Sequence, residues 1–226
     1  MTTDLNIRIQ THADIAEFIE MSQKLGYTGF VTRKFNSLIE EMNGIRVCKR
    51  IRLQGRKLSK LKKVVASQRY QAVIISAIVG NVTIANWAAG DSRVDLLTLP
   101  ESGKYRLKES TARIAADTGT SLEVIISPLL KSSGLSRSII LKGYRDSIRT
   151  ALSAGMRIVL SSGARNPYQM RSPKALSHIG YILGLDQAQS KRAILETPDD
   201  IIRYNVRRLD RDIITKGLEV RRIENK

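Results

Sequence analysis

Residues 161–173 hold the densest set of side chains in the sequence that could contact a polyanion. They read Ser-Ser-Gly-Ala-Arg-Asn-Pro-Tyr-Gln-Met-Arg-Ser-Pro, directly after an apolar run rich in β-branched residues. A glycine beside two hydroxyls would let backbone N–H groups approach an anion, and arginines can donate paired hydrogen bonds to phosphate oxygens. A serine followed by a proline is typical of a helix start, where the helix dipole adds positive potential. We interpret the stretch as a phosphate-backbone contact site with Arg165, Asn166 and Arg171. The alternative is a rigid loop in which Arg171 pairs with a neighbouring carboxylate.

Residues suited to metal binding are sparse. The histidines, His12 and His178, have no second histidine two or four positions away. Barrel-type metal hydrolases need clustered histidine and carboxylate ligands, and the sequence shows no such cluster. Asp4 and Asn6 could hold at most one weak divalent ion. We predict no metal-binding residues and expect the histidines to be surface or capping residues.

Nucleophiles are equally hard to assign. Cys48 is the single cysteine, which excludes an intramolecular disulfide and a cysteine-based zinc site. It lies in a predicted strand beside Arg46 and Arg50, and without an identifiable base we interpret it as a structural thiol. Ser161 and Ser162 lack the G-x-S-x-G pattern. We therefore predict no catalytic residues.

The positive charge is concentrated in two tracts. The 226 residues include 38 Lys and Arg against 21 Asp and Glu. Residues 42–90 contain ten basic residues and no acidic one, and residues 124–185 contain nine against one. These tracts carry +18 and the rest of the chain carries −1. Such segregation favours a nucleic-acid partner, because neutralising phosphates releases condensed counterions. The alternative is a solvated basic face, or a general bias of the composition towards lysine and arginine.

Membrane association is not indicated. No apolar run approaches the ~20 residues of a membrane helix, and residues 1–10 lack the apolar core of a signal peptide. A long basic amphipathic helix with an aromatic face is missing too. We expect a cytoplasmic protein with no membrane partner.

Strand-like and helix-like segments alternate along the chain. The predicted strands are Leu5–Ile9, Gly29–Thr32, Ile45–Leu53, Ala72–Ala77, Val94–Leu99, Leu122–Ile126, Arg157–Ser161 and, weakly, Leu218–Ile223. The predicted helices include His12–Leu25, Leu58–Arg69, Arg137–Ala154 and Pro173–Leu183, with a further start at Thr197-Pro198.

This alternation predicts an α/β fold of parallel strands with right-handed crossovers. Seven or eight units in 226 residues fit a (β/α) TIM-like barrel. An open doubly wound sheet is the alternative, but its usual nucleotide-binding glycine patterns are missing. We predict one domain over residues 1–226, with extra C-terminal helices at about 173–214.

In such a barrel the functional rim is built by the loops that follow the strands. Four of these loops carry paired cations: Arg33 and Lys34, Arg56 and Lys57, Lys131 and Arg137, Arg165 and Arg171. The helix Leu58–Arg69 adds Lys60 and Lys63 on its outward face. We predict that these residues bind RNA, although lysine and arginine occupy loops of many proteins.

One pattern in this set resembles a known family. Ser-Ser-x-Ala-x-x-Pro-x-x-x-Arg-x-Pro at 161–173, followed by Gly180 and Gly184-Leu185, resembles the ribonuclease P protein component 3 family of archaea and eukaryotes. Asp4–Arg8, Leu25–Tyr27 and Ser127-Pro128 match the family as well, as do Lys131 and Arg137. The resemblance runs to about residue 196. The short chain, which has no long charged tail, is more similar to the archaeal members than to the eukaryotic ones.

The resemblance implies a barrel similar to the polymerase and histidinol phosphatase hydrolases but without their His-x-His motif, where Asp4-Leu5-Asn6 stands. It implies a non-catalytic protein subunit of an endoribonuclease that removes the 5′ leader of precursor tRNA. The RNA subunit and its magnesium ions would perform the chemistry, so this chain needs no cofactor. The implied partners are ribonuclease P RNA, precursor tRNA, the component 2 protein in a heterotetramer, and other ribonuclease P protein subunits.

Two other functions stay open. One is a metal-dependent phosphoesterase of the related barrel superfamily, with an unusual metal site that includes Asp4. The other is a general nucleic-acid-binding protein.

Overall fold

The strands of the computed structural model are short and mostly buried. The structure describes residues 2–11 and 14–209, and the backbone of 213–215 and 218–219. The strands are β1 (Thr3–Ile7), β2 (Gly29–Thr32), β3 (Ile39–Met42), β4 (Ile45–Leu53), β5 (Ile74–Ile78), β6 (Leu96–Thr98), β7 (Ser121–Ile125), β8 (Ile158–Ser161), β9 (Ile213–Thr215) and β10 (Leu218–Glu219).

Helices connect most of these strands. They are α1 (Ile15–Leu25), α2 (Leu58–Gln68), α3 (Val82–Gly90), α4 (Glu109–Thr118), α5 (Ser127–Lys131), α6 (Gly134–Ser153), α7 (Pro173–Ile182), α8 (Gln187–Lys191) and α9 (Thr197–Leu209). The predicted cap of α7 is confirmed, because Ser172 Oγ accepts the Ala175 N–H at 3.3 Å. None of the helices within the described residues has the length and apolar character that a bilayer-spanning segment needs.

Seven parallel strands form a nearly closed barrel in the order β1-β2-β4-β5-β6-β7-β8. β8 and β1 approach each other without forming a ladder. Two bonds bridge this seam: the Arg8 N–H donates to the Ala164 carbonyl at 2.8 Å, and the Ser162 N–H donates to the Asp4 carboxylate at 3.2 Å. The predicted TIM-like barrel is confirmed.

A hairpin lies between β2 and β4, where a regular (β/α) barrel has a helix. β3 pairs antiparallel with β4, from Ile39 opposite Cys48 to Met42 opposite Ile45. Asn43 and Gly44 form the two-residue turn with φ of 51° and 74°. This is the turn geometry that matches the twist of paired strands, and Asn-Gly favours it. β3 was not predicted, because Ile-Glu-Glu-Met is too polar to stand out as a strand.

The C-terminal helices depart from prediction at Thr197. Thr197 has helical backbone angles, and the chain stays helical from Gln187 to Leu209 through a π-helical turn over Arg192–Glu196. The helix predicted from Thr197 is therefore present as α9, but the predicted capping role of Thr197 is wrong because the residue lies within a continuous helical segment. Proline lacks an N–H and disfavours the normal α-helical hydrogen bond at its position, and the π turn accommodates Pro198 without a break. The helix begins at Asp186, whose side chain forms a capping box with Gln189.

The barrel does not use the segment predicted as its eighth strand. Within Leu218–Ile223, the described part is β10, which pairs antiparallel with β9 in a separate two-stranded sheet. Residues 220–223 lie outside the described residues. Ile213–Thr215 is a strand and not the end of the extra helices.

The lower half of the barrel interior is apolar and is covered by α9. Ile201 and Ile202 pack with Leu5, Cys48 and other inward residues of the strands. Arg208 of the same helix donates to the Asp95 carboxylate at 3.3 Å, just before β6. Helix α9 thus closes the end of the barrel where the strands begin.

A buried ion pair occupies the middle of the barrel. The Arg50 and Glu123 side chains are 1% and 0% exposed, and two N–H groups of Arg50 donate to the two carboxylate oxygens at 2.7 and 2.5 Å. The same pair bonds to side chains or backbone of four further strands through Asn6, Leu5, Ser76, Thr98 and Ser161. Every donor and acceptor of the pair therefore has a partner, which a buried charge requires.

We expect Glu123→Gln to lower the free energy of unfolding by about 3–5 kcal/mol, because it leaves the Arg50 charge buried without its counter-charge. Urea unfolding at neutral pH would measure this. Glu109→Gln is the matched control, since Glu109 forms an exposed pair with Arg113 on α4, and should change stability by about 0.5 kcal/mol or less.

The pH dependence provides a second check. Burial alone would raise the pKa of the Glu123 carboxyl, but the charge and hydrogen bonds of Arg50, with those of Thr98 and Ser161, lower it below its ordinary 4.5. The pair's stabilisation is therefore complete above 4.5 and is lost as pH falls through the lower folded-state pKa. The stability difference between wild type and Glu123→Gln should shrink below pH 4.5, and a constant difference would contradict this assignment.

Candidate nucleic-acid interface

The predicted cationic loops occupy neighbouring sectors of one rim. They follow β7, β8, β2 and β4, and the loop after β1 lies between those of β8 and β2. Because all seven strands are parallel, these loops emerge at the same end of the barrel. The four cation pairs thus follow strands that are consecutive around the barrel, apart from β1. In the order β7, β8, β2, β4 they are Lys131 with Arg137, Arg165 with Arg171, Arg33 with Lys34, and Arg56 with Lys57.

The loop of residues 161–173 is fixed to the barrel at its start. Gly163 has φ of +67°, and a Cβ there would lie 2.3 Å from Ile125 Cγ2 and 2.8 Å from Ser127 Oγ. The Ser162 N–H donates to the Asp4 carboxylate, and the Ser162 hydroxyl oxygen accepts the Ala164 N–H. Only glycine permits this backbone path beside β7, so the loop leaves the strand in one defined direction.

Gln169 holds the middle of the loop together. Its side-chain oxygen accepts the Lys131 ammonium at 2.8 Å and the Arg165 N–H at 3.1 Å. Asn166 accepts the Gln169 N–H at 3.1 Å and so caps the short 3₁₀ turn Pro167–Gln169. The structure thus brings Lys131 next to the loop, while Asn166 has a structural role within it.

The two arginines of the loop differ in their surroundings. Arg171 donates to the carbonyls of Tyr168 and Met170 at 3.1 and 2.8 Å, so its partners are backbone groups and not the carboxylate considered above. The Arg165 side chain is exposed and has no partner among the described residues. The N–H groups of Ser162, Ala164 and Arg165 already donate within the chain, which leaves the side chains to attract an anion.

The remaining predicted residues lie on the surface around this loop. Arg33 and Lys34 are exposed after β2, and Lys34 also donates to the Gln10 carbonyl. Arg137 is exposed near the start of α6 and donates to the Ser132 carbonyl at 2.7 Å. None of these residues is buried.

Helix α2 extends the basic surface away from the rim. Leu61 and Val65 are buried, while the exposed face carries Lys60 and Lys63. Arg56 and Lys57, also exposed, lead into this helix from β4. The predicted outward orientation of these lysines is confirmed.

Two arginines of the rim were missed. Arg8 follows β1, and Arg52 lies near the end of β4, two residues after Arg50 and on the same face of the sheet. Burial, followed by the nearby charges of Arg33, Arg8 and Arg50, lowers the pKa of the Arg52 guanidinium. The period-2 alternation of Arg50 and Arg52 in an apolar strand was the signal for this inward pair.

Among the described residues, the groups considered for catalysis are either held in the protein interior or lie on its surface. Cys48 is fully buried, and burial raises the pKa of its thiol to about 12, as is typical of a structural cysteine. Ser161 donates to Glu123, and His178 is exposed on α7 beside Tyr181. His12 lies outside the described residues.

The candidate metal position is occupied by protein hydrogen bonds. The Asp4 carboxylate accepts the N–H groups of Asn6 and Ser162, and burial raises its pKa. The Asn6 amide donates to Glu123. Within residues 2–11 and 14–209 no three histidine, cysteine or carboxylate side chains are grouped as metal ligands.

Comparisons with known proteins agree on one family. A family profile described as RNase P subunit p30 matches residues 1–210. The chain is 27% identical over 208 residues to "Ribonuclease P protein component 3" of Methanosarcina barkeri, covering 88% of this chain and 86% of that protein. The protein of the same name from Methanosarcina acetivorans is 25% identical over 212 residues, covering 90% and 88%.

A solved structure has the same fold. It is described as "cryo-EM structure of archaeal Ribonuclease P with mature tRNA", and one of its chains superposes with a TM-score of 0.81. The match covers 98% of this chain and 100% of that chain at 21% identity.

We expect Gly163→Ala to destabilise the protein more than Gly184→Ala, by about 1–3 kcal/mol. Both glycines have positive φ, but a Cβ at Gly184 meets nothing within 4 Å, so only Gly163→Ala adds a steric clash with Ile125. Urea unfolding of both variants measures the difference, and equal losses would contradict the close packing of this loop on β7.

Proposed function

The chain belongs to the RNase P subunit p30 family and is a protein subunit of ribonuclease P, and from that premise we propose that it supports the catalytic RNA through its basic rim. The observation that carries this proposal is the run of cationic loops around one end of the barrel. Family membership supplies the RNA as the partner, and the rim supplies the surface that would meet it.

The proposed mechanism is electrostatic. Exposed cations on the rim and on α2 screen repulsion between RNA phosphates, which lowers the magnesium concentration that the RNA needs to keep its active fold. Phosphate contacts orient an RNA and carry little sequence information, so the rim would recognise the shape of folded RNA. The fixed loop 161–173 gives Arg165 a defined position from which to make such a contact.

The chain itself would not cleave RNA. Supporting this, the carboxylates of Asp4 and Glu123 are engaged by protein donors, and the Cys48 thiol stays protonated at neutral pH. Those bonds also argue against the metal-dependent phosphoesterase, and the part of the chain that the structure describes groups no three possible metal ligands around Asp4. The family match favours ribonuclease P over a general nucleic-acid-binding protein. Magnesium would belong to the RNA subunit.

The proposed partners are ribonuclease P RNA, precursor tRNA and other protein subunits of the same particle. A chain with the same fold is part of a particle described as archaeal ribonuclease P with mature tRNA, which supports this set. Component 2 would bind directly, in a heterotetramer with two copies of each chain. We propose the cytoplasm as the place of this assembly.

The decisive experiment is cleavage of precursor tRNA by the cognate ribonuclease P RNA with its component 2 protein at limiting magnesium. We expect cleavage only when this chain is added, because its cations replace part of the magnesium screening. At high magnesium the dependence should weaken. The chain alone, incubated with precursor tRNA and magnesium or manganese, should release no 5′ leader.

If the addition has no effect although binding to component 2 is verified, the supporting role is excluded. If the chain alone cleaves, and Asp4→Ala abolishes that cleavage, the phosphoesterase alternative is correct.

We expect Arg165→Ala to weaken binding to the ribonuclease P RNA and to reduce the slope of log K against log salt by about one unit, because one phosphate contact is lost. Arg113→Ala is the control, since Arg113 is exposed on α4 and pairs with Glu109. A salt titration of wild type and both variants tests this. Equal slopes for all three would remove Arg165 from the interface.

A further inference from the structure

Three arginines converge where the barrel interior opens at the carboxyl ends of the strands. Arg50 points into the barrel, and Arg52 lies on the same face of β4 one layer nearer the rim. Arg8 and Arg33 directly follow Ile7 of β1 and Thr32 of β2, which are paired neighbours, and β2 is paired in turn with β4. We call Arg8, Arg33 and Arg52 the mouth arginines.

Arg8 has hydrogen-bond donors without acceptors. Its side chain is 11% exposed, and its Nε and Nη2 groups are buried with no partner within the described residues. Its Nη1 group contacts the Glu101 carboxylate at 2.5 Å. A buried guanidinium with two nitrogens that lack acceptors is costly, and an anion would accept hydrogen bonds from both nitrogens.

A third orphan donor belongs to the same region. The Tyr144 hydroxyl is buried and has no hydrogen-bond partner within the described residues. Burial raises the pKa of Tyr144, and the charges of Glu101 and Arg8 have smaller effects on it. The hydroxyl can donate to an anion held by Arg8.

The charge of this region is unbalanced. Arg50 is paired with Glu123, so its own charge is already matched in the layer below. Among the described residues, the one ion pair formed by the mouth arginines is that between Arg8 and Glu101. Glu101 is also 43% exposed, so it can turn toward solvent when a stronger anion arrives.

We propose that the mouth of the barrel binds a single phosphate group through Arg8, Arg33 and Arg52. Guanidinium forks suit the tetrahedral oxygens of a phosphate, and the partly buried position strengthens each charge-assisted hydrogen bond. The ligand replaces Glu101 on Arg8 and accepts the free N–H groups. Its source is either inorganic phosphate or a phosphate of the bound RNA, and both have the same recognition chemistry.

The first test measures thermal unfolding of the chain in inorganic phosphate and in sodium chloride of equal ionic strength. We expect the Tm of the wild type to rise by roughly 3–6 °C at a phosphate concentration tenfold above Kd. Arg52→Gln should lose this rise and Arg52→Lys should keep part of it, because lysine retains the charge but not the fork.

Arg149→Gln is the control, since Arg149 is exposed on α6 far along the helix from the rim, and should show the full rise. Arg33→Gln removes an exposed mouth arginine without altering a strand and should reduce the rise too. The proposal is overturned if the wild type shows no phosphate-specific rise. It is equally overturned if Arg52→Gln and Arg33→Gln keep the full rise.

The second test identifies the source, and it rests on the proposed function. Binding of the cognate ribonuclease P RNA is measured for wild type, Arg52→Gln and Arg149→Gln at constant ionic strength, with and without inorganic phosphate. An affinity that is lowered selectively by Arg52→Gln, and by competing phosphate, supports a phosphate of the RNA. If RNA affinity is equal in all three proteins, the phosphate-specific Tm rise supports inorganic phosphate. Failure of RNA binding altogether would refute the proposed function and leave the first test intact.

Discussion

The ion pair between Arg50 and Glu123 determines how the barrel interior is organised. Its hydrogen bonds reach six of the seven parallel strands, and only β2 contributes nothing to it. A charge pair in this position requires polar neighbours, which accounts for the serines and threonine that the strands turn inward at this level. The pair also divides the interior. Below it lies an apolar layer sealed by α9, and above it lies the cationic mouth. A substitution that released either charge would therefore disturb sheet closure and the mouth together.

Above this layer, the loop 161–173 connects the interior to the outer surface. It leaves β8 through Gly163, contacts the seam through Asp4, and is held to α5 by the bond between Gln169 and Lys131. The Tyr27 hydroxyl adds a bond to the Arg171 carbonyl from the segment between α1 and β2. The loop is thus fixed on three sides, while Arg165 stays exposed. A fixed backbone that presents an exposed arginine suits contact with a phosphate chain, because the backbone loses little conformational entropy on binding.

Local patterns allowed much of this fold to be predicted from the sequence. Strand–helix alternation, the cap at Ser172 and the two basic tracts each depend on nearby residues. The ion pair could not be predicted, because Arg50 and Glu123 are 73 positions apart and only sheet closure joins them. The partners of Arg171 were missed because every residue has a backbone carbonyl, so the sequence does not indicate which carbonyl a side chain contacts. The hairpin was different: Asn43-Gly44 carried a clear turn signal, which the polar composition of β3 obscured.

The π-helical turn over Arg192–Glu196 amounts to one inserted residue in an otherwise α-helical segment. An α-helix advances by about 100° per residue, so one extra residue rotates everything after it by that angle around the helix axis. Within the turn, Ala193 and Ile194 pack in the cluster between the strands and the outer helices, whereas after it Ile201 and Ile202 face the floor of the barrel. Deleting a single residue here would leave both apolar faces in the sequence but point the second one away from the barrel. Closure of the barrel floor therefore depends on the direction in which the apolar face of this helix points, and not only on its apolar composition.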